Sequence, residues 1–244
     1  MRKMQIDGKK VLITGAARRI GALIARRLAE KGAVICLHCS RSVIEGETLV
    51  EELPGRGHRL LTADLAVPGQ AARLWGECGG ADILINNASI YARTPADLPE
   101  EEARRYFEVN YWSPLALMRC FASPERTAPG VVINILDAEV FRPAAQNGVY
   151  ALSRKALADA TAAFALEQAA RGLRFNAVAP GPMLPPSGME DSAMSKVLRS
   201  VPSGRRTEPE DLVSAILFII GCDSLTGAVI PVDGGQHLKN HADL

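Results

Sequence analysis

Tyr150-Ala151-Leu152-Ser153-Arg154 opens a helical stretch whose i,i+4 spacing sets a phenol and a guanidinium on one face, a turn apart. Asp137 closes the apolar run Ile133-Asn134-Ile135-Leu136 that precedes this helix. A phenol, a carboxylate and a fixed cation together make a proton-transfer constellation. Arginine stays protonated at any working pH, so Arg154 supplies charge but cannot relay a proton. At about 4 Å and an effective dielectric near 20, a cation favours phenolate by roughly 4 kcal/mol, or about three pKa units, which brings a tyrosine from about 10 toward 7. Lys155 is next in the chain but points about 100° away around the helix, so it does not substitute. A carboxylate beside a carbonyl would repel the oxyanion that develops on reduction, whereas it stabilises a protonated C=N. Asp137 therefore favours an imine-like substrate, and it can also cap the segment that follows it.

A second cluster lies at the start of the chain. The strand-like Val11-Leu12-Ile13 runs into Thr14-Gly15-Ala16-Ala17-Arg18-Arg19-Ile20-Gly21 and then a helical pattern. A tight strand-to-helix turn aims backbone N–H groups and the positive end of a helix dipole at one spot, which favours a diphosphate. Gly15 and Gly21 keep the outer glycines of a G-x-G-x-x-G arrangement spread six apart, and Arg19 stands where a middle glycine is expected. After the next apolar run, Leu37-His38-Cys39-Ser40-Arg41-Ser42 holds no Asp or Glu, the residue that grips a ribose 2′-hydroxyl in NAD sites. Ser40, Arg41 and Ser42, joined by Arg18 from the turn, can instead donate to a 2′-phosphate, so NADP(H) is the expected cofactor. Asp64-Leu65 can hydrogen-bond and cover the adenine, and Asp64 serves equally as a helix cap. Asn86-Asn87-Ala88-Ser89 supplies small residues where the backbone must pass close to a cofactor.

These residues need a frame that brings strand ends together. Apolar runs recur at 11–13, 33–38, 59–63, 82–86, 131–136, 174–179 and 228–232, most of them separated by helical patterns. Continuously apolar runs such as Ile83-Leu84-Ile85 and Val131-Val132-Ile133 belong to a parallel sheet covered on both faces. The expected fold is one α/β domain over residues 1–244, a doubly wound Rossmann-type sheet of seven parallel strands in the order 3-2-1-4-5-6-7, with ligands at the carboxyl ends of the strands. Residues 181–206 break the alternation: four of the fifteen prolines fall there, with Gly188 and Gly204, and the segment reads as a substrate flap.

With 48% hydrophobic residues, 28 basic against 27 acidic and net charge +1, the chain has a core to bury and no field for nucleic acid or an anionic membrane. No run reaches the length of a membrane span, and Met1-Arg2-Lys3-Met4 leads into polar sequence, so the cytoplasm is the expected location. Five scattered cysteines fit a reducing compartment. Cys36 and Cys39 are three apart on a strand and so face opposite sides, which argues against joint metal binding; no metal site is expected. His237 and His241 read as a solvated tail.

Taken in order, Thr14 to Gly21, Asn87-Ala88, Asn110, the Tyr150 helix, Asn176 to Gly181 and Val232-Asp233-Gly234-Gly235 make the chain resemble the short-chain dehydrogenase/reductases over nearly its whole length. In that family a tyrosine handles the proton while hydride moves from nicotinamide, a serine orients the substrate, and a lysine four residues on lowers the tyrosine pKa. Here Asp137 occupies the serine position and Arg154 the lysine position. Asp137 with Arg19-Ile20-Gly21, Asn87-Ala88-Ser89 and Asp233-Gly234-Gly235-Gln236-His237-Leu238 resembles the pteridine reductase and dihydropteridine reductase branch. The resemblance implies NADPH-dependent reduction of a pterin by Asp137, Tyr150, Arg154 and Asn110, the last holding a water relay. It implies cofactor contacts at Gly15, Arg18, Arg19, Ile20, Gly21, His38, Ser40, Arg41, Ser42, Asp64, Leu65, Asn87, Ala88, Ser89, Tyr150, Arg154, Pro180 and Gly181. Substrate contacts would come from Arg19, Ser89, Asp137, Tyr150 and the stacking ring of Tyr91. A homotetramer is also implied, built on helices near 103–122 and 148–171 whose outward faces hold Ala158, Ala162 and Phe164.

Overall fold

The computed structural model describes residues 4–92, 94, 97–142, 148–183, 198–199 and 201–239. Strand β1 (Lys10–Ile13) is followed by α1 (Arg19–Ala29), β2 (Val34–Cys39), α2 (Val43–Glu52), β3 (Arg59–Thr62), α3 (Gln70–Cys78) and β4 (Ile83–Asn86). The second half runs α4 (Glu100–Phe107), a π-helical turn at Glu108–Trp112, α5 (Ser113–Phe121), β5 (Gly130–Ile135), a 3-10 turn at Ala138–Phe141, α6 (Gly148–Gln168), β6 (Leu173–Pro180), α7 (Pro209–Gly221) and β7 (Val229–Val232). The seven strands form one sheet in the order β3-β2-β1-β4-β5-β6-β7, and every pair is parallel. The expected order is the observed one.

The period-two alternation of side chains sorts each strand between two cores. Val11, Ile13, Ile83, Ile85, Val131 and Ile133 face Ile24 and Leu28 of α1 and Leu212, Ile216 and Ile220 of α7. Leu12, Leu84 and Val132 face Leu74 of α3, Leu117, Met118 and Phe121 of α5 and Leu157 of α6. Cys36 belongs to the second core and Cys39 to the first, so the two thiols lie on opposite faces, as their spacing requires. Between the layers runs a buried polar bridge. Asn86 donates to Asn134 at 2.8 Å, and Asn134 donates to Thr161 on α6 at 2.8 Å, which ties the centre of the sheet to the helix that carries Tyr150.

The turn after β1 is shaped by contacts that only glycine tolerates. Gly15 has φ +62° and packs so closely on the β4 exit that a Cβ there would lie 2.9 Å from Ala88 Cα. A Cβ on Gly21 would strike the Gly15 carbonyl oxygen and come within 2.7 Å of Ala16 Cα and Asn87 Nδ2. Gly21→Ala is therefore expected to cost about 1–3 kcal/mol through overpacking, read as a lower denaturant midpoint with unchanged slope.

The proposed flap falls largely outside the described residues, at 184–197 and 200. Thr207 N–H donates to Pro182 O at 3.0 Å, which joins its two ends to each other, and Ser203 N–H donates to Gly234 O at 3.1 Å, which ties it to the β7 exit. His237 departs from expectation. Rather than a solvated tail, it lies beside buried Asp233, with Nδ1 at 2.9 Å from the carboxylate and its ring 5.3 Å from that of Phe141. The acidic partner is Asp233, four residues earlier in the chain, rather than a residue between the two histidines. His241 lies outside the described residues.

The outward face of α6 also differs from expectation. Phe164 turns in against Phe175, ring centroids 5.2 Å apart, and Ala158 packs on the core. Ala162 is exposed as expected, and the larger exposed apolar residues are Leu152 and Leu166 on α6 and Trp112 in the π-helical turn.

Candidate active site

The carboxyl ends of β1, β2 and β4, with the β3 exit, border a cleft of about 500 Å³. Its lining includes Gly15, Arg18, Arg19, Ile20, Gly21, His38, Ser40, Arg41, Ser42, Asp64, Leu65, Asn87, Ala88 and Ser89, so fourteen residues expected at the cofactor meet in one place. Ala17, Ala66, Ile90, Arg105 and Val109 line it as well and escaped the sequence reading. Arg105 and Val109, four apart on successive helical turns, face the cleft together. That spacing was visible in the sequence, but no motif marked it.

The floor of the cleft is made for an anion. Helix α1 has Arg18 as its N-cap with no side-chain cap and no acidic residue in its first turn, whereas α4 begins with Glu100, Glu101 and Glu102. Its first amides are thus left for a ligand, with the helix dipole reinforcing them. Arg19 adopts φ +54° and is the only non-glycine with positive φ among the described residues. An L-residue pays about 1–2 kcal/mol for that conformation. Arg18 reaches across to Glu45 at 3.7 Å, and both side chains are more than half solvent-exposed or nearly so (66% and 50%), a pair too weakly held to compete with a phosphate.

Several residues expected to touch the cofactor also have their side chains engaged within the protein. Asn87 Nδ2 donates to the carbonyls of Thr14 and Gly15, each at 2.9 Å, while Thr14 Oγ1 accepts from the amides of Asn87 and Ala88, each at 3.0 Å. These bonds lock the β1 turn to the β4 exit. His38 has both ring nitrogens engaged by backbone, so it is not a free ligand for the cofactor. Asp64 Oδ1 accepts from Ala66 N–H at 3.0 Å, the local capping bond, and its exposed carboxylate remains at the cleft edge.

The proton-transfer group assembles at the β5 exit. Tyr150, buried to 4% exposure, donates its hydroxyl hydrogen to Asp137 Oδ2 at 2.9 Å. Asp137 Oδ1 accepts from Glu139 N–H at 2.9 Å, so one carboxylate caps the 3-10 turn and holds the phenol at once. The capping bond expected of Asp137 is present on Oδ1, which leaves Oδ2 for the phenol. Arg154 is 2% exposed, lies 5.9 Å from the Tyr150 ring centre, and donates Nη2 to Ile135 O at 2.8 Å. Its Nε and Nη1 are buried without partners, a costly arrangement that suits a pair of ligand hydroxyls. Arg142, at the end of the 3-10 turn, is a second buried guanidinium with unpartnered Nε and Nη2. Nothing in its sequence surroundings marked it.

The expected phenol pKa near 7 is corrected by this environment. Burial pushes the Tyr150 pKa well above its ordinary value, the Asp137 charge adds to the rise, and Arg154 opposes it without prevailing. The cation acts in the expected direction, but desolvation and the carboxylate outweigh it.

Asn110 is wholly buried, and its amide is fully occupied. Oδ1 accepts from Ser89 Oγ at 3.2 Å and Ile90 N–H at 3.0 Å; Nδ2 donates to Ile90 O at 3.1 Å and Ser153 Oγ at 3.2 Å. Ser153 in turn donates to Tyr150 O at 2.7 Å. The side chain expected to hold a water relay therefore ties the β4 exit to α6. Tyr91 meets Tyr150 edge-on with centroids 4.9 Å apart and exposes half its surface. Pro180 ends β6, and Gly181 donates to Val232 O at 2.9 Å where a Cβ would crowd Asp233.

Residues 15–237 match the family model described as enoyl-(acyl carrier protein) reductase. The chain is 31% identical to bovine L-xylulose reductase over 241 residues, covering 95% of this chain and 98% of that one. The chain belongs to the short-chain dehydrogenase/reductase family. A glucose 1-dehydrogenase of Gluconobacter oxydans is likewise 31% identical, covering 97% of this chain and 94% of the other. Among solved members of the family, FolM alternative dihydrofolate reductase 1 from Brucella canis, complexed with NADP, superposes with a TM-score of 0.88 at 32% identity, covering 97% of this chain and 96% of that one. The Brucella suis protein, also in complex with NADP, gives the same score and identity. As a short-chain reductase the chain is an oxidoreductase on a single seven-stranded Rossmann-type sheet.

Proposed function

We propose that this reductase uses NADPH to reduce a C=N bond of a pterin or dihydropterin. The observation that carries the reading is the Tyr150–Asp137 hydrogen bond, a buried phenol held at 2.9 Å by a carboxylate. The NADP-bound FolM structures, described as alternative dihydrofolate reductases, support the same class of substrate. The unpartnered nitrogens of Arg154 and the uncapped start of α1 fit a dinucleotide, the first taking the ribose hydroxyls and the second the pyrophosphate.

NADPH supplies the hydride. Tyr150, kept protonated by burial, gives its proton to the substrate nitrogen, so carbon gains hydride and nitrogen gains the proton. Asp137 accepts from the substrate amino group and balances the positive charge that develops on the C=N as it takes the proton. Arg154 steadies the phenolate left behind and clamps the ribose. Arg19, Ser89 and Tyr91 border the substrate side, with Tyr91 as the stacking ring. NADPH oxidation on adding dihydrobiopterin or dihydromonapterin, followed at 340 nm, tests the reading. Turnover with sugars or simple ketones and none with pterins would favour instead the carbonyl substrates of relatives such as L-xylulose reductase. NADPH binding without turnover on either class would leave a binder.

The reading extends to a cytoplasmic homotetramer. No helix among the described residues is long and apolar enough to cross a membrane. Leu152, Leu166 and Trp112 give α6 and its neighbour an apolar outer face. Light scattering at micromolar concentration is expected to read about four times the 26.1 kDa chain, and the chain mass itself would contradict the tetramer.

A further inference from the structure

His38 sits at the end of β2 with 2% exposure, and its ring spans two loops. Gly15 N–H donates to Nδ1 at 3.2 Å, and Nε2 lies 3.1 Å from Ala63 O. An amide N–H only donates and a carbonyl only accepts, so these neighbours fix the tautomer, with the proton on Nε2 and a lone pair on Nδ1. The His38 carbonyl accepts a further amide, Ala16 N–H, at 2.8 Å. One residue thus holds two consecutive amides of the turn after β1 and ties them to the β3 exit, where Asp64 and Leu65 line the same cleft.

Those two amides are not available to a ligand, and the donors left for an anion are those of the α1 N-terminus. Burial lowers the imidazole pKa, with the Ala63 carbonyl and Asp64 acting the other way, so the ring is neutral at pH 7. The charged group that acts on the ring is Asp64 at the β3 exit, while Arg18, Arg19, Cys39 and Arg41 line the same cleft. None of them takes over either ring nitrogen.

We propose that His38 is a positioning residue: locked as its Nε2–H tautomer, it sets the shape of the phosphate turn and supports the pyrophosphate common to NADPH and NADH. It does so without touching the 2′-phosphate. The proposal rests on reading the cleft as a dinucleotide site, and the experiment separates the two. Dissociation constants for NADPH and NADH are measured by fluorescence titration of wild type, His38→Phe and His38→Asn. Phenylalanine keeps the bulk and removes both ring nitrogens, whereas asparagine sets an acceptor near the Nδ1 position. The Phe variant is expected to weaken both cofactors by the same factor, about tenfold, and the Asn variant to regain most of the loss. Nitrogen-15 spectra of labelled histidine in the wild type should show a protonated Nε2 and a bare Nδ1 at neutral pH.

A loss confined to NADPH makes His38 a 2′-phosphate ligand and overturns the proposal. Unchanged affinity in His38→Phe, or an Nδ1–H tautomer in the wild type, overturns it too. Should His38→Phe fail to fold, the tautomer and the Asn variant decide, since selective loss of NADPH in that variant counts against the brace. Wild-type protein that binds neither dinucleotide refutes the reading of the cleft, while the tautomer still reports on the lock.

Discussion

Tyr150→Phe is expected to abolish substrate-dependent NADPH oxidation, a loss of about 10²- to 10⁴-fold or more, with NADPH still bound. The ring keeps its packing against Tyr91, and only the hydroxyl that meets Asp137 is removed. Arg154→Lys keeps the cation and should keep or raise the rate. Arg154→Ala removes the charge and the two buried donors, and should lower it by about ten- to a hundredfold. The pH dependence has a definite sign. Because burial and Asp137 raise the Tyr150 pKa, the phenol stays protonated through neutral and mildly alkaline pH, and the rate of reduction should fall only above about 10, the ordinary tyrosine value. Arg154 is the one group holding that pKa down, so Arg154→Ala moves the limb further upward. A rate limb near pH 7 that vanishes in Tyr150→Phe would contradict this environment. Equal, negligible turnover in wild type and Tyr150→Phe, with Arg154→Lys restoring it, would mark the natural protein as a binder.

Arg41→Asp is expected to reverse much of a preference for NADPH over NADH. The β2 exit carries Ser40, Arg41 and Ser42 on the rim of the cleft with no carboxylate to meet a 2′-hydroxyl. Losing one charge-assisted phosphate bond should weaken NADPH by about 1.5–3 kcal/mol, roughly ten- to a hundredfold, and the new carboxylate supplies NADH with an acceptor it lacked. Arg18 remains, since its exposed contact with Glu45 gives way readily, so the reversal stops short of complete. Calorimetric titration of both cofactors against both proteins measures the shift, and equal curves for the two cofactors in the wild type would end the argument for a 2′-phosphate site.

Much of this architecture was legible because it is written in periodicity. Continuous apolar runs named all seven strands to within a residue or two, and the parallel, doubly wound reading follows from their burial on both faces. The phosphate turn and the Tyr150 helix were legible because close approach and i,i+4 spacing leave marks in the sequence. What stayed hidden depends on three-dimensional surroundings. The tyrosine pKa is set by desolvation, which a spacing rule does not contain. The roles of His38, Asn87 and Asn110 turn on which backbone groups their side chains reach across the sheet. Arg142 is notable only for two buried guanidinium nitrogens without partners, and Phe164 faces inward because β6 offers it Phe175.

The left-handed backbone at Arg19 sets two demands on one position against each other. A glycine there would relax the turn and raise thermal stability, yet it would delete the arginine head from the rim of the cleft. Heat resistance alone favours glycine at this site, whereas the ligand contact proposed for Arg19 favours arginine. A library sorted first for thermostability and then for turnover would separate at this residue, which makes it a point where the two kinds of fitness trade against each other.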